Sequence, residues 1–301
     1  MRKDYCKYLF ALLLFGFNGI VASRITSISS TGIVYLRTMI GSALLFSIFL
    51  MTKSKFTFMK HKRQFCFLAV SGAAMGASWM FLYEAYRQLG VSVASLAYYC
   101  GPVIVMALSP LLFGEKLTKR KLLGFAAVLC GVFLINGQSL EQGKTVWGLF
   151  CGGMSAVMYS FMVIFNKQAR DITGFENSLL QLFISFLTVA LFVGARGGLV
   201  VHPAASDWTP IVILGLLNTG AGCYFYFSSI GQLPVQTVAV CGYLEPLSAV
   251  VFSVLLLHES MSPLQAAGAV LVLGGAIFSE NSMRTARPDS GQAIKRKLPS
   301  E

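Results

Sequence analysis

The chain has 301 residues, of which 55% are hydrophobic and only 12% charged, about half the charge of a soluble domain of that length. Its apolar residues come in successive runs of about eighteen or more, each enough to cross roughly 30 Å of hydrocarbon at about 1.5 Å per residue. One such run fits a buried core helix, but ten in succession exclude a soluble fold, and the net charge of +12 is distributed as a topology signal and not as a nucleic-acid footprint.

The first predicted span, 7–23, holds Asn18 in FGFNGIVASR and leads straight into the next with no small-residue cleavage site, so it reads as an anchor and not as a removed signal. Span 2, 31–51, carries Arg37 inside the hydrocarbon. Two roles are open to it: a structural one, snorkelling outward or pairing with a backbone carbonyl, and a substrate-binding one. Span 3, 65–85, places Trp79, Tyr83 and Tyr86 on one helical face at i, i+4 and i+7. Glu84 sits beside Arg87 near its end, which suggests a rim ion pair, and Gly72 and Gly76 have the small-xxx-small spacing of close helix contact.

Span 4, 91–113, repeats the device with Ser92, Ser95, Tyr99 and Pro102 at i, i+3, i+7 and i+10, and Glu115 follows its end. Span 5 is 121–137. The stretch GQSLEQGKT, 137–145, mimics a phosphate loop but has five residues between its glycines where four are needed. Span 6, 146–165, holds Tyr159 and the pair Gly148 and Gly152; span 7 is 177–194; span 8, 209–229, holds Asn218 and Tyr224. Span 9, 235–257, carries Gln236, Tyr243, Glu245 and Pro246, followed by Glu259. Span 10 is 263–280, and residues 281–301 read as a disordered basic tail.

Proline removes a backbone donor and frees the carbonyl one turn earlier, so Pro102 and Pro246 mark helix breaks where a gate could form. Glu245, directly before Pro246, could bind a cationic group or carry a proton in the resulting cavity; it could equally close the kink by hydrogen bonding. Asn18, Trp79, Tyr83, Tyr99, Tyr159, Asn218, Tyr224, Tyr243 and Glu245 are the substrate-binding candidates. Glu115 and Glu259 read as structural residues that accept hydrogen bonds from the free N–H groups of the helix following each.

With the N-terminus inside, Lys and Arg concentrate in the cytoplasmic segments: Arg2, Lys3 and Lys7; Lys53 to Arg63; Lys116 to Lys121; Lys167 and Arg170; and the tail. The opposite side holds Arg24, Arg87, Lys144 and Arg196. Both termini are therefore expected in the cytoplasm. Seven scattered cysteines form no CxxC pair and three histidines make no HExxH spacing, so neither metal nor cofactor is expected.

Shifted by 144 residues, segment 81–136 lies on 225–280 without a gap, with 14 of 56 positions identical. Shared apolar composition does not explain Gln88/Gln232, Tyr99/Tyr243, Pro102/Pro246 and Glu115/Glu259 in register. The unit is read as five helices, 1–6 being a cytoplasmic lead, 7–137 the first repeat and 146–280 the second. An odd span count inverts the second copy, the geometry of alternating access in secondary transporters.

The paired stretches CGPVIVMALSPLLFGEKLTKRKLLG and YLEPLSAVVFSVLLLHESMSPLQAAG resemble the EamA domain of the drug/metabolite transporter superfamily. FGFNGIVASR and Arg37 in YLRTMIGSALL look like that family's opening helices, although Phe15 stands where Trp is often found and His258 where the first copy has Gly114. The resemblance implies an all-α integral membrane protein of ten helices in two inverted five-helix repeats, whose spans 1, 3, 4, 6, 8 and 9 surround the substrate path. The expected function is a secondary transporter of a small organic metabolite such as an amino acid or amine, in the bacterial inner membrane. Its partners would be the small-molecule substrate, membrane lipid and protons as a candidate coupling ion, with no nucleic acid. An integral-membrane enzyme or a non-transporting scaffold are the competing readings.

Overall fold

A computed structural model describes residues 2–52, 56–89, 91–136, 146–197, 200–257 and 262–285. GQSLEQGKT, Glu259 with its neighbour His258, and residues 286–301 lie outside the described residues. Every regular element among the described residues is helical. In chain order the helices are α1 (Arg2–Gly16), α2 (Asn18–Ala22), α3 (Ser30–Met51), α4 (Lys62–Leu89), α5 (Val91–Tyr98), α6 (Gly101–Phe113), α7 (Lys119–Asn136), α8 (Val146–Gln168) and α9 (Gly174–Ala195). They continue with α10 (Trp208–Ile213), a π-helical stretch Leu214–Ala221, α11 (Gly222–Ile230), α12 (Val235–Gly242), α13 (Leu244–Leu257) and α14 (Pro263–Thr285).

Among the described residues six segments are long and apolar enough to cross a membrane: Lys3–Ala22, Ser30–Met51, Lys62–Leu89, Val146–Gln168, Gly174–Ala195 and Ala205–Ile230. Further rods among the described residues are α7, α14 and the broken pairs α5–α6 and α12–α13. Helix α1 starts at Arg2, inside the stretch read as a cytoplasmic lead, and α14 runs to Thr285, five residues past the expected end of its span.

Both broken rods break at the same place in the repeat. α5 gives way to α6 after Tyr98, and α12 gives way to α13 after Gly242, flanking the equivalent residues Tyr99 and Tyr243. Pro102 stands in the first turn of α6 and Pro246 in the first turn of α13. A missing N–H costs nothing there, because the first-turn donors have no intrahelical partner. The prolines therefore begin the second half-helix and do not sit at the break itself. α6 ends on Gly114 at φ +66°, a left-handed conformation that glycine adopts without penalty.

The two halves meet through residues that recur in both. A Cβ on Gly124 would lie 2.6 Å from the carbonyl oxygen of Gly275, and one on Gly131 would lie 2.6 Å from that of Gly268. α7 and α14 thus cross antiparallel with backbones in contact, glycine on glycine. α3 and α9 also run antiparallel, since Tyr35 lies against Phe186 and Phe49 stacks near Phe175. α4 packs on α8 and α9, as its counterpart α10–α11 packs on α1 and α3. Gly72 and Gly76 let α4 approach Ile184 and Ser185 of α9, and Gly148 and Gly152 bring α8 onto Leu89 and Ala97. Without water in the bilayer, this packing and the hydrogen bonds across it supply the association energy.

Candidate functional site

One pair of half-helices departs from the symmetry. α6 packs on α12, whereas α5 and α13, the equivalent pair, are parted by a cavity of about 310 Å³. Its walls include Phe15, Asn18, Arg37, Trp79, Tyr83, Tyr86, Ser95, Tyr98, Tyr99 and Glu245, and its mouth reaches Ser23, Ile25 and Ile28 in the α2–α3 connection. A smaller chamber of about 50 Å³ adjoins it deeper in the bundle, sharing Phe15, Asn18, Trp79, Tyr98 and Glu245 and adding Met75, Tyr159, Met162, Cys223 and Tyr226.

Arg37 is 2% exposed and stands in the wall of the larger cavity. Its Nε donates to Thr219 Oγ1 at 2.8 Å, its Nη1 to Tyr83 Oη at 2.9 Å and its Nη2 to Asn18 Oδ1 at 3.4 Å. The guanidinium lies 4.6 Å from the centre of the Trp79 ring, within range of a cation–π interaction. Thr219 belongs to the π-helical turn and donates back to the Leu214 carbonyl at 2.8 Å. This stretch of extra-wide helix, a feature common at functional sites, gives the Thr219 hydroxyl two partners at once.

Glu245 stands in the first turn of α13, and its carboxylate makes no hydrogen bond to the described residues. The reading of a carboxylate that closes a Pro kink therefore fails, and the side chain faces the cavity instead. The equivalent position, Gly101, has no room for a side chain unless Tyr159 shifts: a Cβ there would lie 2.6 Å from Tyr159 Cδ1 and 3.1 Å from the Ala156 carbonyl oxygen. Ser160 Oγ also donates to the Gly101 carbonyl at 3.0 Å.

Of the nine candidate binding residues, the structure brings six to the cavities: Asn18, Trp79, Tyr83, Tyr99, Tyr159 and Glu245. Three do not line them. Asn218 braces the bundle by donating to the Leu14 carbonyl at 2.7 Å. Tyr224 packs with Phe175 and Phe225 and lies under Lys7. Tyr243 is fully buried and donates to the Tyr99 carbonyl at 2.6 Å, joining the two breaks. Arg37, for which a structural and a substrate-binding role are both open, stands in the wall itself. Tyr98 and Tyr226 were missed; Tyr98 lies one residue off the face defined by Ser95 and Tyr99, and the break after it turns it inward. Glu84 pairs with Arg87 at 2.6 Å, as the spacing suggested.

The side opposite the mouth is closed by polar contacts between the halves. Glu115 does not accept from the helix that follows it; its carboxylate accepts from Val235 N at 2.7 Å and Gln236 N at 3.1 Å, the N-terminus of α12. Gln236 Nε2 donates to Ser109 Oγ at 2.9 Å, and its Oε1 accepts from the buried Lys121. Tyr8 donates across the halves to the Val238 carbonyl at 2.7 Å, and within the second half Lys167 donates to the Leu233 carbonyl.

The successive apolar helices, broken rods and buried charged cavity define a multi-pass membrane protein. The EamA-like transporter family matches the chain twice, over residues 4–137 and 146–280, and the chain belongs to that family. Relatives include an uncharacterized transporter, YxxF, of Bacillus subtilis (21% identical, covering 89% of this chain and 86% of the relative). A probable amino-acid metabolite efflux pump of Salmonella typhimurium is 26% identical over 65% of this chain and 70% of its own length. The riboflavin transporter ImpX of Fusobacterium nucleatum is 23% identical over 61% of this chain and 64% of its own length. A crystal structure with a TM-score of 0.78 covers 92% of this chain and 98% of its own at 19% identity, and shares the fold.

Proposed function

We propose that the protein is a secondary transporter that moves a small organic metabolite, such as an amino acid, an amine or a related compound, across the bacterial inner membrane by alternating access. The chain then crosses ten times as two inverted five-helix repeats with both termini in the cytoplasm, the arrangement its basic residues favour. The observation that carries the reading is the unequal state of two equivalent half-helix pairs: α6 rests on α12 while a cavity parts α5 from α13. Exchange of those two states between the halves would move the opening from one face to the other. Glu245 serves as the group that a coupling proton or a cationic substrate group occupies.

The names of the relatives support small metabolites as the cargo class. Uptake into proteoliposomes, screened over amino acids, amines and nucleotide-derived metabolites, is the direct test. Absence of flux for every compound with folded protein would refute the transport reading. Mass spectrometry of small molecules copurifying with the protein identifies the cargo independently.

A further inference from the structure

A charge buried in a bundle is costly unless it is compensated, and among the described residues no carboxylate forms a salt bridge or hydrogen bond with Arg37. It is 2% exposed, and its protein acceptors are all neutral: a threonine hydroxyl, a tyrosine hydroxyl and an amide oxygen. A guanidinium carries five N–H donors. Three are directed at those acceptors, which leaves one on each terminal nitrogen, the number that a bidentate carboxylate takes. Trp79 and Tyr83 fix the plane of the group, so little side-chain freedom is left to lose on binding.

We propose that Arg37 is the anion subsite of the cavity and receives a carboxylate of the substrate. This deepens the transport reading and rests on it. Glu245 is the acidic residue in the same wall, so the pair sets what can bind. An ionised Glu245 leaves the chamber neutral and favours a zwitterion, with ammonium toward Glu245 and carboxylate on Arg37. A neutral Glu245 leaves the chamber positive and favours a simple anion. The adjoining small chamber, walled by Met75, Tyr159, Met162 and Tyr226, takes only a short apolar end of the ligand.

The test uses the full chain in detergent with Trp147→Phe and Trp208→Phe, leaving Trp79 as the fluorescent reporter beside the guanidinium. Probes are benzoate and L-phenylalanine, against benzyl alcohol and phenethylamine, which lack the carboxylate. The carboxylate-bearing probes are expected to change Trp79 emission and raise the unfolding temperature. Arg37→Gln should weaken them by about 10- to 100-fold, the worth of a charge-assisted bidentate contact, and leave benzyl alcohol unchanged. Arg37→Lys should restore part of the response.

Glu245→Gln leaves Arg37 in place and keeps the test decisive if Arg37→Gln fails to fold. It should shift preference about tenfold from phenylalanine toward benzoate. No response to either carboxylate in the parent protein, an undiminished response in Arg37→Gln, or an unchanged preference in Glu245→Gln overturns the proposal. Carboxylate binding without flux would sink the transport reading and leave the subsite standing; amine flux with no carboxylate response would do the reverse.

Discussion

Replacing Glu115 with alanine should loosen the closed side of the protein and leave the cavity walls intact. The carboxylate accepts two backbone N–H groups of α12 at 2.7 and 3.1 Å, a cap supplied from the other half of the molecule. Side-chain caps of helix N-termini contribute about 0.5–2 kcal/mol, and a charged acceptor stands at the upper end. Glu115 is partly exposed, so about 2 kcal/mol is an upper figure for its share of closure. At about 1.4 kcal/mol per decade, that is about a 30-fold shift in the ratio of closed to open. Cys223 is fully buried and lines the inner chamber, so it can report the change once the other six cysteines are replaced. A membrane-impermeant maleimide applied from the side of Glu115 should then label Cys223 about ten- to thirtyfold faster in Glu115→Ala. Glu115→Gln, which keeps one acceptor, should fall between. Equal labelling rates in folded Glu115→Ala and parent protein would show that the cap does not hold this side shut.

Three further outcomes follow from other contacts. Gly101→Ala should drive a methyl into Tyr159, where a Cβ would lie 2.6 Å from the ring; overpacking of that kind costs about 1–3 kcal/mol and should lower the unfolding temperature in detergent. Asp207 accepts from Thr26 N, Ser27 N and Ser27 Oγ at 3.0, 2.8 and 2.6 Å, tying the α2–α3 connection to the start of α10. Asp207→Ala should raise amide exchange over residues 24–29 by about tenfold or more while exchange in α7 stays as it was. Glu245→Gln should make uptake indifferent to an imposed pH gradient if that carboxylate carries the proton, and retained gradient dependence would remove it from the coupling step.

Periodicity and charge alone made the helical architecture and its internal duplication legible, because ten apolar runs and an offset of 144 residues are written in one dimension. The breaks were half-legible. Pro102 and Pro246 lie close to them, but the first half-helices end before the prolines, at Tyr98 and Gly242, and the breaks fall at Tyr99 and Tyr243. Partner choice was the least legible. Glu115 was expected to cap the helix after it, and it caps α12, some 120 residues away in sequence. Nor does local pattern signal the π-helical turn at Leu214–Ala221, in which Thr219 bonds to both Leu214 and Arg37. Tyr224 and Asn218 share the residue types of the cavity wall but point at other helices, and spacing within one helix cannot tell which neighbour a face will meet.

Departures from the repeat locate the site better than residue type does. Where the two copies keep the same residue, that residue tends to meet the other copy: Gly124 on Gly275, Gly131 on Gly268, Tyr243 on Tyr99. Such positions are constrained twice over, since a change must fit both sides of the pseudo-axis. The offset also holds in the spans where identity has faded, for Gly76 approaches Thr188 of α9 as Gly220 approaches Leu44 of α3. Applied there, it sets Arg37 against Gln181, Asn18 against Met162 and Trp79 against Cys223, as it sets Glu245 against Gly101. In each pair the charged, amide or indole member stands in the wall of the cavity. Gln181 is instead buried and accepts from Asn166 Nδ2 at 3.2 Å, and Gly101 is filled by Tyr159. A scaffold that had merely been duplicated would have no reason to gather these four differences around one space. A space that must recognise one unsymmetrical molecule from two faces has that reason, and the Arg37 and Glu245 substitutions above test it from both ends.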